Sequence, residues 1–235
     1  MTTFSIDLLK RQAAEAAVDL IQPGMVVGLG AGSTALKAIE CMGERLADGR
    51  LHRIVGVPCS GQVAADAQRL GVPLTTLDEH PVIDLTIDGA DEVDPQLRVI
   101  KGGGGALLRE KIVAQASRQE VIIVDEGKLS DRLGTKWVLP VEVIPFGWRT
   151  HLDFFTQLGA TVNVRTGDRN VWFRTDSGNL ILDCNFGPMA DPDSLAAVLD
   201  ARAGVVAHGL FIGLVSQVVV AGVNGVYWMT HAGVR

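Results

Sequence analysis

Apolar residues in the first half of the chain follow helical and strand spacings in alternation. Ile6, Leu9, Ala13, Ala17 and Leu20 share one face of a helix. The pattern predicts further helices at residues 32–46, 62–70 and 106–116, and strands at residues 25–29, 54–57, 83–87 and 121–124. Strands that alternate with helices in this way predict a parallel sheet with helices on both faces.

The pattern changes after Pro140 and Pro145. A helix is predicted at residues 148–158, strands at 161–165, 171–175 and 180–182, and a short helix at 195–199. Turn clusters separate these strands, among them Thr166-Gly167-Asp168. A strand–helix–strand–strand–helix–strand order indicates a small α+β subdomain.

Residues 204–229 contain no Asp, Glu, Lys or Arg, and that length alone would suit a membrane span. The segment is rich in glycine and valine, however, and Asn224-Gly225 separates two valine-containing runs. Asn-Gly between such runs is a strong hairpin signal. We therefore predict paired buried strands at residues 218–223 and 226–230 and no association with a membrane.

Composition narrows the class of protein. The chain has 235 residues, 47% of them hydrophobic and 20% charged, with a net charge of −6, which argues against general nucleic-acid affinity. Cys41, Cys59 and Cys184 are too scattered for a disulfide framework or a metal site, and we expect free, largely buried thiols. The N-terminal residues lack the pattern of a signal peptide. These features predict a cytoplasmic protein.

Candidate chemistry is concentrated between residues 88 and 111. Asp88 and Asp91 follow a predicted strand, and Lys101 precedes a run of four glycines, residues 102–105. Ligands usually bind at such strand ends, and glycine backbone N–H groups can approach an anion closely. Lys101 and these N–H groups could together neutralise an oxyanion that develops during a reaction. The segment thus indicates a catalytic site for an anionic substrate.

Other residues near this segment are open to two interpretations. Residues 28–34 are predicted to form a glycine-rich turn before a helix. This turn does not match the dinucleotide-binding fingerprint, but it suits an anion-binding site. The alternative is an ordinary turn with a serine as helix N-cap. Glu110 lies beyond the glycine run on the predicted helix, where a lone Glu is usually exposed. Lys128, taken alone, suits a surface position. Glu92 and Asp94 are predicted to be solvent-facing charges, and their spacing does not fit a calcium loop.

Taken together, these motifs resemble the ribose-5-phosphate isomerase A family over nearly the whole chain. The matching segments share their order and gaps with that family; they are Gly30-Ala31-Gly32-Ser33-Thr34, Asp88-Gly89-Ala90-Asp91-Glu92, Lys101-Gly102-Gly103-Gly104, Arg109-Glu110-Lys111 and the lysine that ends residues 125–128. A late pattern, Gly204-Val205-Val206 with Gly209-Leu210-Phe211, matches as well.

The resemblance implies interconversion of ribose 5-phosphate and ribulose 5-phosphate, a step of the pentose phosphate pathway, without a cofactor or metal. By resemblance, Glu110 is the base that moves a proton between C1 and C2, and Lys101 with the glycine-run amides stabilises the enediolate. Asp88 and Asp91 are expected to hold sugar hydroxyls and to assist ring opening. The residues expected to bind substrate are Ala31, Gly32, Ser33, Thr34, Asp88, Gly89, Ala90, Asp91, Lys101, Gly102, Gly103, Gly104 and Lys128.

The resemblance also implies an architecture and an assembly. We expect a Rossmann-like domain, residues 1–140 and about 205–235, with a smaller ferredoxin-like α+β subdomain at about 141–204. A homodimer or homotetramer is expected, with a small sugar phosphate and neither nucleic acid nor membrane as partner. Two other classes share the architecture: a sugar-phosphate sensor fused to a transcription regulator, which would not need Glu110, and another enzyme, an amino-sugar phosphate isomerase-deaminase or a CoA transferase.

Overall fold

The computed structural model describes residues 5–167 and 171–234. The helices are α1 (Ile6–Val18), α2 (Ser33–Ala47), α3 (Gly61–Arg69), α4 (Leu107–Gln115), α5 (Thr150–Gln157) and α6 (Pro192–Asp200). The strands of the first half are β1 (Val26–Leu29), β2 (Val55–Pro58), β3 (Leu85–Asp88), β4 (Glu92–Val93), β5 (Val99–Ile100), β6 (Glu120–Asp125) and β7 (Leu139–Val143). Those of the second half are β8 (Thr161–Val164), β9 (Leu180–Asn185), β10 (Val205–His208), β11 (Leu210–Phe211), β12 (Gln217–Gly222), β13 (Gly225–Thr230) and β14 (Gly233–Val234).

The largest sheet has the strand order β14-β13-β12-β6-β3-β1-β2. Neighbours from β2 to β12 are parallel, which confirms the predicted parallel sheet, and β13 and β14 add an antiparallel edge. The chain leaves β1 towards β2 on one side and later continues from β3 towards β6 and β12 on the other. In open α/β sheets, ligands bind beyond the carboxyl ends of the strands at such a reversal.

Helices cover both faces of this sheet, as predicted. Val121 and Ile123 of β6 face a core formed with α1 and α2, whereas Ile122 and Val124 face a second core that includes Ala114 of α4. Side chains alternate between the faces of a strand, so a strand buried on both sides is apolar throughout. This explains the continuous apolar runs of β6 and β12 without a membrane. No helix within the described ranges is long and apolar enough to cross a bilayer.

The predicted hairpin near the C-terminus is confirmed. β12 and β13 pair antiparallel around a turn that Gly222 and Gly225 close, and β12 also lies parallel to β6 in the sheet interior. The predicted strand at residues 171–175 is wrong. Among the described residues, Trp172 forms an isolated bridge with Thr166, closed by the N–H groups of Gly167 and Phe173. Beyond it the N–H of Thr175 donates to the carbonyl oxygen of Asn179 within a turn, and the ring of Phe173 packs against Gly105. Asp168, in the predicted turn before it, lies outside the described residues.

A second, antiparallel sheet has the order β10-β7-β9-β8 and packs with α5 and α6 around Phe155, Leu180 and Leu199. Its elements follow the chain order β7-α5-β8-β9-α6-β10. The sequence missed β7 because Pro140 lies inside it, and proline usually argues against an inner strand. The predicted division of the chain into a domain and a subdomain at residues 140 and 205 stays a prediction. This second sheet begins at Leu139 and includes β10. Residues 1–4 and 235 of the predicted larger domain lie outside the described ranges.

A third, three-stranded sheet, β11-β5-β4, was not predicted because its strands have only two residues each. β5 pairs antiparallel with both neighbours. Immediately after β5, the backbone N–H of Lys101 donates to the carbonyl oxygen of Gly209, 2.9 Å away. This small sheet therefore fixes the backbone of Lys101 beside the carboxyl end of β3.

Candidate active site

A polar cleft of about 120 Å³ opens where the chain leaves β1, β3 and β6. Its lining includes every residue predicted to act on or bind substrate except Asp88, and it adds Lys10, which the sequence analysis missed. Because β1, β3 and β6 are neighbours in the parallel sheet, the loops after them meet at one edge although they are distant in sequence. The tertiary structure thus brings the separate motifs into one site.

The turn after β1 requires glycine for two reasons. A Cβ atom at Gly30 would lie 2.1 Å from Oδ1 of Asp88, so the turn can approach the end of β3 only without a side chain. Gly32 has φ +94°, a left-handed conformation that glycine adopts readily, and it precedes the first residue of α2. The N-terminus of α2, with Ser33 and Thr34, therefore opens into the cleft. A helix N-terminus presents N–H groups to anions.

Lys101 is almost fully buried and lies among carboxylates. Its Nζ atom is 2.8 Å from Oδ2 of Asp88, 3.4 Å from Oε1 of Glu110 and 2.6 Å from the carbonyl oxygen of Gly89. Burial alone would lower the pKa of this ammonium group, but the two carboxylates raise it above its ordinary value. Lys101 is therefore a fixed positive charge at the base of the cleft.

Glu110 is buried on the first turn of α4, whereas its neighbour Arg109 points outwards to Asp176. Burial raises the pKa of Glu110 from 4.5 to about 7; Lys101 opposes the shift, and the charges of Asp88 and Asp91 add to it. Its Oε2 atom has no hydrogen-bond partner among the described residues, although it is inaccessible to solvent. A carboxylate with such a pKa can both accept and return a proton near neutral pH.

Asp88 is held behind Lys101. Its Oδ1 atom accepts hydrogen bonds from the N–H groups of Ala31 and Gly89, at 3.0 and 2.7 Å, and its Oδ2 atom contacts Lys101. Burial raises the pKa of Asp88, and Lys101 and these N–H groups counteract that shift. With both oxygens engaged, this carboxylate ties the loop after β1 to the lysine. Its expected contact with sugar hydroxyls stays a prediction.

Asp91 does reach the cleft and fixes the glycine run. Its Oδ2 atom accepts the N–H of Gly103 at 2.7 Å, and a Cβ at Gly103 would lie 2.7 Å from its Oδ1 atom. The N–H of Gly105 donates to the carbonyl oxygen of Gly102. Two of the glycine N–H groups expected to stabilise an oxyanion are therefore engaged within the protein in this structure.

Two lysines flank the outer part of the cleft. Nζ of Lys10, on α1, donates to Oγ of Ser33 at 2.9 Å, and Lys128 ends the short 3-10 helix Glu126–Lys128 after β6. Lys10 lies 18 positions before the glycine-rich turn of residues 28–34, and no local motif marks it. The helical pattern gives only a weak signal: Lys10 follows the buried Leu9 on the edge of the apolar face.

Glu92 and Asp94 are not the solvent-facing charges that the sequence analysis predicts. Both are completely buried. Glu92 accepts hydrogen bonds from the backbone N–H groups of Gly134, Thr135, Lys136 and Trp137. Asp94 accepts those of Gln96 and Arg98 and pairs with the Arg98 guanidinium at 2.6 Å. The partners of Glu92 lie 42 to 45 residues away in the sequence, so local patterning cannot find them. The partners of Asp94 are close in the sequence, but its complete burial depends on the packing of the whole chain.

A further buried carboxyl group, Glu120, lies at the start of β6 and was also missed. Neither of its oxygens has a hydrogen-bond partner among the described residues. Burial, and next the charge of Asp88, raise the pKa of Glu120 well above its ordinary value. The described residues contain no group of three or more His, Cys, Asp or Glu side chains arranged to hold a metal ion. Cys41, Cys59 and Cys184 are free and buried, as predicted.

Sequence comparison places these features among known enzymes. The profile of the family described as ribose 5-phosphate isomerase A (phosphoriboisomerase A) matches residues 55–225. The ribose-5-phosphate isomerase A of Chloroflexus aurantiacus is 58% identical over 230 residues, which cover 98% of this chain and 96% of that protein. The enzyme of the same name from Desulfatibacillum aliphaticivorans is 54% identical over 228 residues, covering 97% and 99% of the two chains.

Solved structures agree with the sequence comparison. A D-ribose-5-phosphate isomerase in complex with phospho-erythronic acid superposes with a TM-score of 0.94 at 37% identity, covering 97% of this chain and 100% of that one. The ribose 5-phosphate isomerase A of Methanocaldococcus jannaschii gives a TM-score of 0.91 at 38% identity, with 96% and 100% covered.

Proposed function

We propose, from the premise that this chain belongs to the ribose 5-phosphate isomerase A family and is an isomerase, that it interconverts D-ribose 5-phosphate and D-ribulose 5-phosphate through an enediolate. The observation that carries this mechanism is the position of Glu110. It is a buried carboxyl group with a pKa of about 7 and an oxygen without a partner, and it lies beside the fixed charge of Lys101. An acid–base group and an anion stabiliser therefore stand side by side.

The proposed reaction begins with the open-chain aldose. The Glu110 carboxylate removes the proton from C2, and the electron pair of that C–H bond forms the C1–C2 double bond while the carbonyl oxygen O1 becomes negative. O1 then gains a proton and O2 loses one, and protonated Glu110 returns its proton to C1. The product is the ketose, with the same atoms as the aldose. General acid–base catalysis of this kind contributes about 10²–10⁴-fold.

Lys101 supplies the charge that the enediolate needs. A buried ammonium group interacts more strongly with a developing anion than it would in water. The contacts of Lys101 with Asp88 and Gly89 already hold it in place, so it does not need to reorient during the reaction. Asp91, which reaches the cleft, is proposed to hold a sugar hydroxyl, to assist ring opening and to move the proton between O1 and O2. Asp88 holds Lys101 and the loop after β1 in position.

The phosphate is proposed to bind at the N-terminus of α2. The helix begins at Ser33, none of the described side chains caps its N-terminus, and Ser33 and Thr34 add hydroxyl groups. Lys10 and Lys128 bring two positive charges to the same cleft. This position leaves the sugar chain to run inwards past Asp91 to Lys101 and Glu110. The proposal uses no cofactor; the homo-oligomer and the cytoplasmic location remain predictions.

The reaction in deuterated water tests this function. Incubation with ribose 5-phosphate should yield ribulose 5-phosphate that carries deuterium at C1, because the proton on Glu110 can exchange with solvent before it is returned. Mass spectrometry of the product measures both the conversion and the label. Conversion without any label in product or recovered substrate would contradict a proton-transfer mechanism, since a hydride shift retains the original hydrogen.

Parallel incubations distinguish the alternatives. Release of ammonia from an amino-sugar phosphate would instead support a deaminase, and transfer of CoA between acids would support a CoA transferase. Binding of ribose 5-phosphate without turnover would support a sensor. None of these three outcomes is expected, because the complete set of Asp91, Lys101 and Glu110 lines one cleft.

A further inference from the structure

We propose that Glu92 is a positioning residue that fixes Lys128, and with it the phosphate-binding side of the cleft, by holding the loop formed by residues 134–137. The inference rests on the proposed function, because it takes Lys128 to contact the substrate phosphate. Glu92 itself lies outside the cleft lining and is completely buried. Its effect on the substrate must therefore pass through other residues.

The first step is the bond between Glu92 and the loop. Its Oε2 atom accepts the N–H groups of Gly134 and Trp137 at 2.9 and 3.2 Å, and its Oε1 atom accepts those of Thr135 and Lys136 at 3.1 and 3.0 Å. Consecutive backbone N–H groups that converge on one anion hold a loop in a single conformation. A carboxylate suits this position because it offers acceptors on both oxygens and no donor.

The second step leads from the loop to the 3-10 helix Glu126–Lys128. The Nζ atom of Lys136 donates to the carbonyl oxygens of Gly127 and Leu129, at 2.9 and 2.5 Å, on either side of Lys128. The ring of Trp137 lies beneath the Lys128 ammonium group, 5.1 Å from Nζ to the ring centre. The loop thus holds both the backbone and the side chain of Lys128.

The loop also contacts the glycine run. A Cβ atom at Gly103 would lie 3.0 Å from Cζ2 of Trp137, so the indole ring packs directly against the backbone that lines the cleft. The strand that carries Glu92 begins immediately after Asp91, which binds the N–H of Gly103. Adjacent residues of one segment therefore secure the two sides of the cleft: Asp91 the glycine run, and Glu92 the loop that supports Lys128.

Glu92→Gln tests this role. The amide keeps the size of the side chain but replaces one acceptor with an NH₂ group, which opposes the two N–H donors that faced that oxygen. We expect KM for ribose 5-phosphate and the inhibition constant of inorganic phosphate to rise roughly three- to tenfold, the change expected when one charged contact weakens by about 1 kcal/mol. We expect kcat to change less than twofold, because Lys101 and Glu110 are untouched.

A double-mutant cycle separates positioning from general damage. If Glu92 acts through Lys128, Glu92→Gln should raise KM little or not at all in a Lys128→Ala background. Glu142→Gln is the matched control: Glu142 is a buried carboxylate bound to Thr175 and Asn179, away from the cleft lining, and its change should leave KM and the phosphate constant unaltered. Equal rises in KM with and without Lys128, or a fall in kcat at constant KM, would overturn the inference.

Lys136→Met keeps the test decisive if Glu92→Gln does not fold. Lys136 is exposed, and its loss removes the two bonds beside Lys128 without burying an unpaired group. The same rise in KM and in the phosphate constant is expected, and unchanged constants would contradict the role of the loop. Turnover by the unmodified protein tests the proposed function separately. No isomerisation at all would refute that function. Normal isomerisation with KM values that do not change in the variants would refute only the positioning role.

Discussion

Nζ of Lys101 lies 3.4 Å from Oε1 of Glu110, and the other oxygen of Glu110 has no hydrogen-bond partner among the described residues. The lysine thus stabilises only part of the buried carboxylate, and burial still raises the pKa of Glu110 to about 7. A fully paired carboxylate would be a poor base, and an isolated one would stay protonated. The intermediate arrangement suits a group that takes up and returns a proton in each turnover.

Glu110→Gln should abolish most turnover while the protein still folds. We expect kcat to fall by at least about 10²-fold, the lower end of the contribution of general acid–base catalysis. Binding of inorganic phosphate should persist, because the proposed phosphate site is formed by other residues. Steady-state kinetics and competition experiments measure the two properties.

Arg109→Gln is a matched control for that variant. Arg109 is the preceding residue on α4, but it is exposed and pairs with Asp176, so its change also alters the charge by one unit without reaching the cleft. It should retain near-normal kcat. Near-normal turnover in Glu110→Gln would show that Glu110 is not the base.

Stability should depend on pH through Glu110. Its pKa is raised from 4.5 to about 7 in the folded protein, so between these values the folded state binds more protons than the unfolded state, and stability falls as pH rises. The loss amounts to about 3 kcal/mol at about 1.4 kcal/mol per pKa unit. Glu110→Gln should therefore gain stability relative to the unmodified protein at pH 8 and show little gain at pH 4.5. Chemical unfolding at the two pH values measures this; an equal difference at both would contradict the shifted pKa.

Lys101→Ala should reduce kcat more than it weakens substrate affinity, because its charge is needed most when the enediolate forms. It should also destabilise the protein by about 3–5 kcal/mol, since Asp88 and Glu110 then lack their buried counter-ion. Kinetics at a temperature well below the melting point separate the two effects. A rise in KM with unchanged kcat would mean that Lys101 binds ground and transition states equally.

Lys10→Met should weaken phosphate binding without removing the chemistry. Lys10 lines the cleft beside Ser33, at the end where the phosphate is proposed to bind. We expect a roughly tenfold rise in KM, about 1.4 kcal/mol, and a small change in kcat. The rise should shrink at high salt, because screening weakens exposed charges. Lys37→Met, on α2 and paired with Glu40, is a surface control that should leave KM unchanged. An unaltered KM in Lys10→Met would exclude the residue from the phosphate site.

Activity should survive exhaustive treatment with EDTA, and added magnesium or manganese should not increase it. The acidic residues at and after the end of β3 already have partners: Asp88 pairs with Lys101, Asp91 accepts the N–H of Gly103, and Glu92 accepts N–H groups of residues 134–137. A second cation beside the fixed charge of Lys101 would be repelled. Loss of activity that one metal restores would mean that another group stabilises the enediolate.

Local patterns were sufficient for most of the large sheet and for the motifs that line the cleft. β1, α2, β6 and the β12–β13 hairpin have strong periodicity or turn signals, and the segment around the glycine run contains unusual residues at short spacings. The same approach failed where the deciding contacts are distant in sequence. β7 was missed because Pro140 lies inside it, and residues 171–175 have strand-forming side chains but form an isolated bridge rather than a strand.

The sequence by itself determined which chemical groups are present and, outside β4, β5 and β7, the local elements in which most of them lie, because helix and strand periods, turns and glycine runs depend on neighbouring residues. Only the tertiary structure decided the state of each charge. Glu92, Asp94 and Glu110 look alike as acidic residues near a loop, yet the first two are buried against backbone N–H groups and the third against Lys101. Burial and partner are properties of the packed chain, and they set whether a carboxylate is held by backbone N–H groups or has its pKa raised towards 7.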